Sequence, residues 1–177
     1  MVKKKTKERE IYLKGKITPN SFVAVAKALK KLDAKSHEPI LFFINSKGGS
    51  IFSSVDIHHA LRNSKSEIKT IGFGMVRSAA LMVLQGGDKR FVKPNCKLKF
   101  HQASLKLGSH VNGHDLNLLS RELLQADAIQ IYILTSRGSP SSKIVDLLKQ
   151  EAVIDSKKAL KLKIIDGIWK RPISRPR

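Results

Sequence analysis

Up to Leu84 the chain alternates three times between a short strand-like run and a helix-forming run, and this rhythm limits its fold more than any other feature. Residues 10–17 alternate loosely and read as a first strand; Thr18-Pro19-Asn20 then opens a helix with apolar positions at Phe22, Val23, Val25, Ala26 and Leu29. Residues 39–44 form an apolar run with aromatic and β-branched members, the pattern of a buried strand, and a helix is expected over residues 50–63. Residues 67–73 read as a third strand, followed by an apolar, helix-forming run to Leu84. Strands and helices in this order favour right-handed βαβ units and a mainly parallel sheet covered by helices. With 177 residues, no internal repeat and no low-complexity linker, one domain with a substantial core is expected.

The strand ends carry the chemistry. Gly74-Met-Val-Arg-Ser78 leads from the third strand into a helix, and a serine there stands where unpaired backbone N–H groups favour negative charge. That suits a nucleophile whose attack creates an oxyanion, although serine is also a favoured N-cap. Asn45-Ser-Lys-Gly-Gly-Ser50 follows the second strand, and its glycines let backbone N–H groups approach a ligand closely. Lys97-Leu-Lys-Phe-His101-Gln102 alternates and reads as a strand with a histidine near its end. Serine, histidine and a Gly-Gly segment together supply nucleophile, base and oxyanion donor. An imidazole, with an ordinary pKa near 6.5, is suited to take the serine proton around neutral pH.

In this order INSKGGS, GMVRSAA, KRFVKPN and KFHQA resemble segments of the ClpP family, the proteolytic subunits of Clp protease, which read roughly INSPGGS, GMAASMG, KRFxLPN and MIHQP. Ser78 follows Gly49 by 29 residues, in the family register without a gap, and the likeness runs from about Glu10 to Asp166. The resemblance implies an α/β, ClpP/crotonase-like fold of stacked βαβ units with a protruding long handle helix. It also implies serine endopeptidase chemistry on peptides or unfolded proteins inside a ring-shaped oligomer. By residue it implies Ser78 as nucleophile, His101 as general base, the Gly49 and Ala79 amides as oxyanion hole, and a substrate groove along Gly48, Leu105 and Leu107. Residues 105–111 correspond to the extended strand that pairs with the peptide backbone, a mode that binds many sequences with little side-chain selection.

The remaining elements fit that frame. The longest helix is expected over residues 114–137, with apolar positions on more than one face; the excess surface matches the handle through which two rings interlock. Residues 142–150 read as a further amphipathic helix, Asp155 as the N-cap of the last one, and residues 164–168 as a final short strand and turn. Residues 1–9 and 169–177 read as basic tails flanking a peptidase domain over 10–168.

Three positions depart from the family pattern. Where the family carries its catalytic aspartate this chain has Leu147; Asp146 lies one residue earlier and Glu151 four later. One helical position turns a side chain by about 100°, so Asp146 serves as third triad member only if the helix register slips; otherwise His101 works unsupported or leans on a backbone carbonyl. Arg77 stands before the nucleophile, where a small residue is usual. About nine residues precede the first strand, too few for the family's pore-lining hairpin, which places docking to an AAA+ unfoldase in question. Two other functions remain open on these departures: a catalytically impaired structural subunit of a mixed ring, and a basic polyanion-binding protein on the same scaffold. An α/β-hydrolase is disfavoured, because a G-x-S-x-G elbow is missing.

Charge and cysteine set outer bounds. The formal net charge of +20 reports on solubility and non-specific polyanion binding, not on fold. Aromatic residues make up 6% of the chain, and no nucleic-acid-binding motif accompanies the charge, so no specific nucleic-acid partner is expected. Cys96 is alone, which precludes an internal disulfide and fits a reducing interior, cytoplasmic or organellar. It reads as a small buried hydrophobe. No apolar run approaches a membrane span, and no cofactor or metal is expected.

Overall fold

The computed structural model describes residues 9–105, 110 and 112–173. The elements run β1 (Glu10–Ile17), α1 (Pro19–Asp33), β2 (Ile40–Gly49), α2 (Ile51–Arg62), β3 (Ile68–Arg77) and α3 (Ala79–Gln85). Then come β4 (Lys89–Val92), β5 (Lys97–Lys99), α4 (Gly113–Thr135), α5 (Ser141–Lys149), β6 (Val153–Ile154), α6 (Ser156–Lys161) and β7 (Gly167–Ile168). Among the described residues the strands form one sheet in the order β1-β2-β3-β4-β7, with β5 pairing β3 and β6 off that path. Every pairing is parallel except β5 with β6. The expected α/β architecture is present.

Two strands run further than their apolar patterns. β2 continues through the Asn45 to Gly49 segment, so the two glycines end a strand where the sequence suggested a loop. β3 reaches Arg77 and changes partners on the way: residues 69–72 pair with β4, and residues 75–77 pair with β5. Gly74, at φ 62°, lies between the two pairings. This change of partner carries the end of β5 alongside the residue that follows β3, which is Ser78.

α3 explains itself by composition. Its sequence AALMVLQ is apolar nearly all round, and every residue in it is buried. Its one polar side chain, Gln85, is satisfied: Nε2 donates to the Ile164 carbonyl at 3.1 Å and Oε1 accepts from Arg90 Nη1 at 2.6 Å. Arg90, itself buried, pairs with Asp166 through Nε and Nη2. Burial alone would raise the Asp166 pKa, but the hydrogen bonds from Arg90 and its charge outweigh it and hold the carboxyl below its ordinary value. Caps follow the sequence too: Thr18 accepts from Ser21 N–H, and Asp155 accepts from Lys158 N–H.

α4 is packed only near its C-terminal end, where Gln130, Ile133 and Leu134 are buried. Further up the helix Leu116, Leu118 and Leu124 are exposed, Leu124 by 67%, so the helix stands off the body as a handle. At the chain ends, Arg9 donates to the carbonyls of Ser36 and Glu38 and to Ser66 Oγ, and Trp169 packs edge-on against Phe91. Both residues, assigned to the tails by their charge context, are docked on the body; residues 1–8 and 174–177 lie outside the described residues. No helix of the described chain is long and apolar enough to cross a membrane.

Candidate active site

Ser78 occupies the N-cap position of α3 but does not cap it: its side chain makes no capping hydrogen bond. Its backbone sits at φ 55° and ψ −130°, a region that costs a non-glycine residue about 1–3 kcal/mol. Fixed partners hold it there. The Ser78 N–H donates to the Lys99 carbonyl at 2.9 Å, and its own carbonyl accepts from Leu81 N–H at 2.8 Å. The turn therefore presents a half-buried hydroxyl, without a hydrogen-bond partner among the described residues, at the meeting point of β3, β5 and α3.

Gly48 lies directly against this turn, and Gly49 against β1. A Cβ on Gly48 would fall 2.8 Å from both the Arg77 carbonyl oxygen and Ser78 Cβ; one on Gly49 would fall 2.2 Å from the Ile17 carbonyl oxygen. Only glycine fits at either position. Ser46 secures the segment, donating to the Gly15 carbonyl at 2.6 Å and accepting from Gly48 N–H at 3.0 Å. Ser50 N–H donates to the Ile17 carbonyl, toward β1. Successive amides of a strand point to opposite sides, so with the Ser50 N–H toward β1 the Gly49 N–H faces away from it. Ala79 supplies the first amide of α3, which has no partner within the helix.

His101 follows β5 by two residues, and its imidazole Nδ1 lies 2.6 Å from the Gln102 carbonyl oxygen. A carbonyl only accepts, so Nδ1 carries the proton and Nε2 is left as an acceptor, the tautomer a general base needs. No hydrogen bond joins Ser78 Oγ to His101 among the described residues, as is common in unliganded sites. The third position is apolar: Leu147 is 5% exposed and belongs to the main core. Asp146 is exposed on α5, and its side chain makes no hydrogen bond or ion pair among the described residues. Glu151 pairs with Lys99 at 3.8 Å.

What holds the histidine segment comes from α4 instead. Asp127 Oδ1 accepts from Ala103 N–H at 2.7 Å and Oδ2 accepts from Gln102 Nε2 at 3.2 Å. Gln130 Nε2, buried, donates to the His101 carbonyl at 3.1 Å. Sequence reading missed both residues. The available signal was a polar pair three positions apart on the most apolar stretch of the handle helix, where one face must meet something polar.

Two recesses flank Gly49. One, about 440 Å³, lies between residues 49–52, residues 103–105 and α4; Leu105, Leu123, Ala126 and Ile129 make it largely apolar. The other, about 710 Å³, is lined by Gly48, Gly49 and the ends of β1 and β3. Thus Leu105 lines the apolar recess and Gly48 the second one, whereas Leu107 lies outside the described residues. Cys96 is fully buried, and burial pushes its thiol up to about 12, which leaves it inert. His58 Nδ1 lies 3.0 Å from the Met82 carbonyl, so this half-buried histidine packs against α3. No cluster of three or more His, Cys, Asp or Glu able to hold a metal ion occurs among the described residues.

Known proteins share this sequence pattern and fold. The Clp protease family model matches residues 1–172. The ATP-dependent Clp protease proteolytic subunit of Carsonella ruddii (strain PV) is 32% identical over 171 residues, covering 93% of this chain and 86% of that protein. Proteolytic subunit 6 of the chloroplastic Clp protease of Arabidopsis thaliana is 29% identical over 143 residues, 79% of this chain and 51% of that protein. A mutant of ClpP1 from Listeria monocytogenes superposes with a TM-score of 0.82 over 92% of both chains; at 23% identity, that likeness is one of fold.

Proposed function

The chain belongs to the Clp protease family, as a serine-type peptidase of the ClpP type, and on that premise we propose that Ser78 and His101 cleave peptide bonds without a side-chain carboxylate between them. The carrying observation is the uncapped, strained Ser78 turn, packed against Gly48 at the end of β2. Strain of this kind persists where the surroundings over-determine it, which is the habit of functional turns.

Substrate lies extended beside residues 103–105, with an apolar side chain in the recess formed with α4. His101 Nε2 takes the proton of Ser78 Oγ as the oxygen attacks the carbonyl carbon. The oxyanion receives hydrogen bonds from the Gly49 and Ala79 amides. The imidazolium then protonates the leaving amine, and water, activated by the same nitrogen, releases the acyl group from Ser78. Throughout, the Gln102 carbonyl accepts from Nδ1–H and fixes the ring, taking the orienting half of the work an aspartate performs in a triad. Asp127 and Gln130 act as positioning residues by holding residues 101–103. Asp146 enters this scheme only if α5 shifts by one residue in an assembled ring.

The exposed leucines of α4, with Tyr132 at 74% and Phe52 at 77% exposure, support closure into rings of about seven copies with the handles interlocked. An AAA+ unfoldase is a further partner class of this family, and nothing in the described residues favours it. The structural-subunit and polyanion-binding readings are not favoured by the relatives. Hydrolysis of a fluorogenic peptide bearing an apolar residue before the reporter amide tests the proposal. Activity lost in both Ser78→Ala and His101→Ala supports it; activity surviving Ser78→Ala refutes it.

A further inference from the structure

The second recess beside Gly49 differs in character from the first. Lys14, Lys16, Lys47 and Arg77 line it together with Asn45, Met75 and three glycines, and no carboxylate does. None of these four cations forms an ion pair among the described residues; Lys14 Nζ lies 5.5 Å from the Tyr12 ring centre. Arg77 Nε is buried and has no hydrogen-bond partner among the described residues. Two of the cations stand where the resembling segments carry proline (Lys47) and alanine (Arg77). Their convergence is a property of this chain's own sequence.

We propose that this recess is an acidic-residue subsite, which binds a glutamate or aspartate side chain, or a terminal carboxylate, of the peptide being cleaved. Gly49 borders both recesses, so a peptide whose carbonyl oxygen sits on the Gly49 amide has an apolar pocket on one side and this basic one on the other. The enzyme would therefore prefer peptides with an apolar and an acidic residue on opposite sides of the scissile bond. A single carboxylate fits better than a nucleic acid strand. The site is a concavity against one catalytic amide, and no aromatic side chain lines it for bases to stack on. This inference rests on the peptidase reading, and the test separates the two.

Matched fluorescent peptides carry either Glu or Gln at each of three positions flanking one apolar residue. Cleavage is followed with the native chain, and binding by fluorescence anisotropy with Ser78→Ala. At one position Glu should lower KM and Kd by about fivefold or more relative to Gln, with kcat little changed. The Glu/Gln ratio should approach one in Lys47→Gln/Arg77→Gln. Should that pair fail to fold, the ratio should still fall in Lys14→Gln/Lys16→Gln, and in the native chain between roughly 50 and 500 mM salt. Cleavage dependent on Ser78 with no Glu preference at any position overturns the subsite and leaves the peptidase intact. Glu-selective binding without cleavage supports the subsite and refutes the peptidase. A single-stranded oligonucleotide that binds Ser78→Ala more tightly than the Glu peptide, and displaces Glu and Gln peptides equally, also overturns it.

Discussion

Replacing Asp127 with alanine removes two hydrogen bonds at once, to Ala103 N–H and to Gln102 Nε2, from a helix that otherwise touches the histidine segment through Gln130. Hydrogen bonds to a charged group contribute about 1.5–3 kcal/mol each, less where solvent reaches them, and Asp127 is half-buried. If about 2 kcal/mol of the loss appears as misplacement of the Gln102 carbonyl and hence of His101, kcat/KM falls roughly 30-fold. Asp127→Asn keeps an acceptor for Ala103, and the Gln102 amide can turn to meet the new NH₂, so activity should return to within about threefold of the native chain. The assay is steady-state peptide hydrolysis, alongside thermal melting to correct for unfolded protein. An Asp127→Ala chain with native kcat/KM would refute the idea that α4 positions His101. Equal losses in the alanine and asparagine variants would show that the charge itself matters, and would point to a direct carboxylate role.

Asp146→Asn should leave peptide hydrolysis within about twofold, because the side chain is exposed and has no partner among the described residues; a loss of orders of magnitude, as in a triad that loses its aspartate, would reinstate it as the third member. Leu147→Asp should lower the melting temperature, since it places a carboxylate at a core position, yet raise kcat/KM if that group reaches the imidazole. Asp166 has a folded pKa below its ordinary 3.8, so its contribution to stability is present above that value and is lost as pH falls through the lower folded one. Melting followed down through that acid range should show this slope, and Asp166→Asn should remove it. Leu124→Glu on the handle should yield smaller species by light scattering if α4 is buried between copies, and no change if it is not.

How much of this was legible beforehand depended on whether a residue's role is local. The β-α alternation is written in apolar periodicity, and the caps at Thr18 and Asp155 are local chemistry, so those elements fall where the sequence puts them. Strand ends are less legible. The Asn45 to Gly49 segment is polar and glycine-rich, yet it is strand, because β1 and β3 on either side satisfy its backbone. Ser78 could be found from its junction, but whether it caps α3 or serves chemistry rested on a backbone angle no residue type dictates. The support of His101 was least legible. A backbone carbonyl leaves no mark in sequence, and Asp127 reaches it from 25 residues downstream, across a packing contact. The four cations beside Gly49 were dispersed in a generally basic chain until the ends of β1, β2 and β3 brought them together.

Ser78 is proposed to be a nucleophile activated by His101 without a carboxylate partner. Labelling by a fluorophosphonate, read by intact mass and peptide mapping, tests it most directly. One adduct per chain is expected, located on Ser78, abolished in Ser78→Ala, greatly slowed in His101→Ala, and formed at an unchanged rate in Asp146→Asn. A native chain that takes up no label at Ser78 under conditions where a known serine peptidase is fully labelled would contradict it.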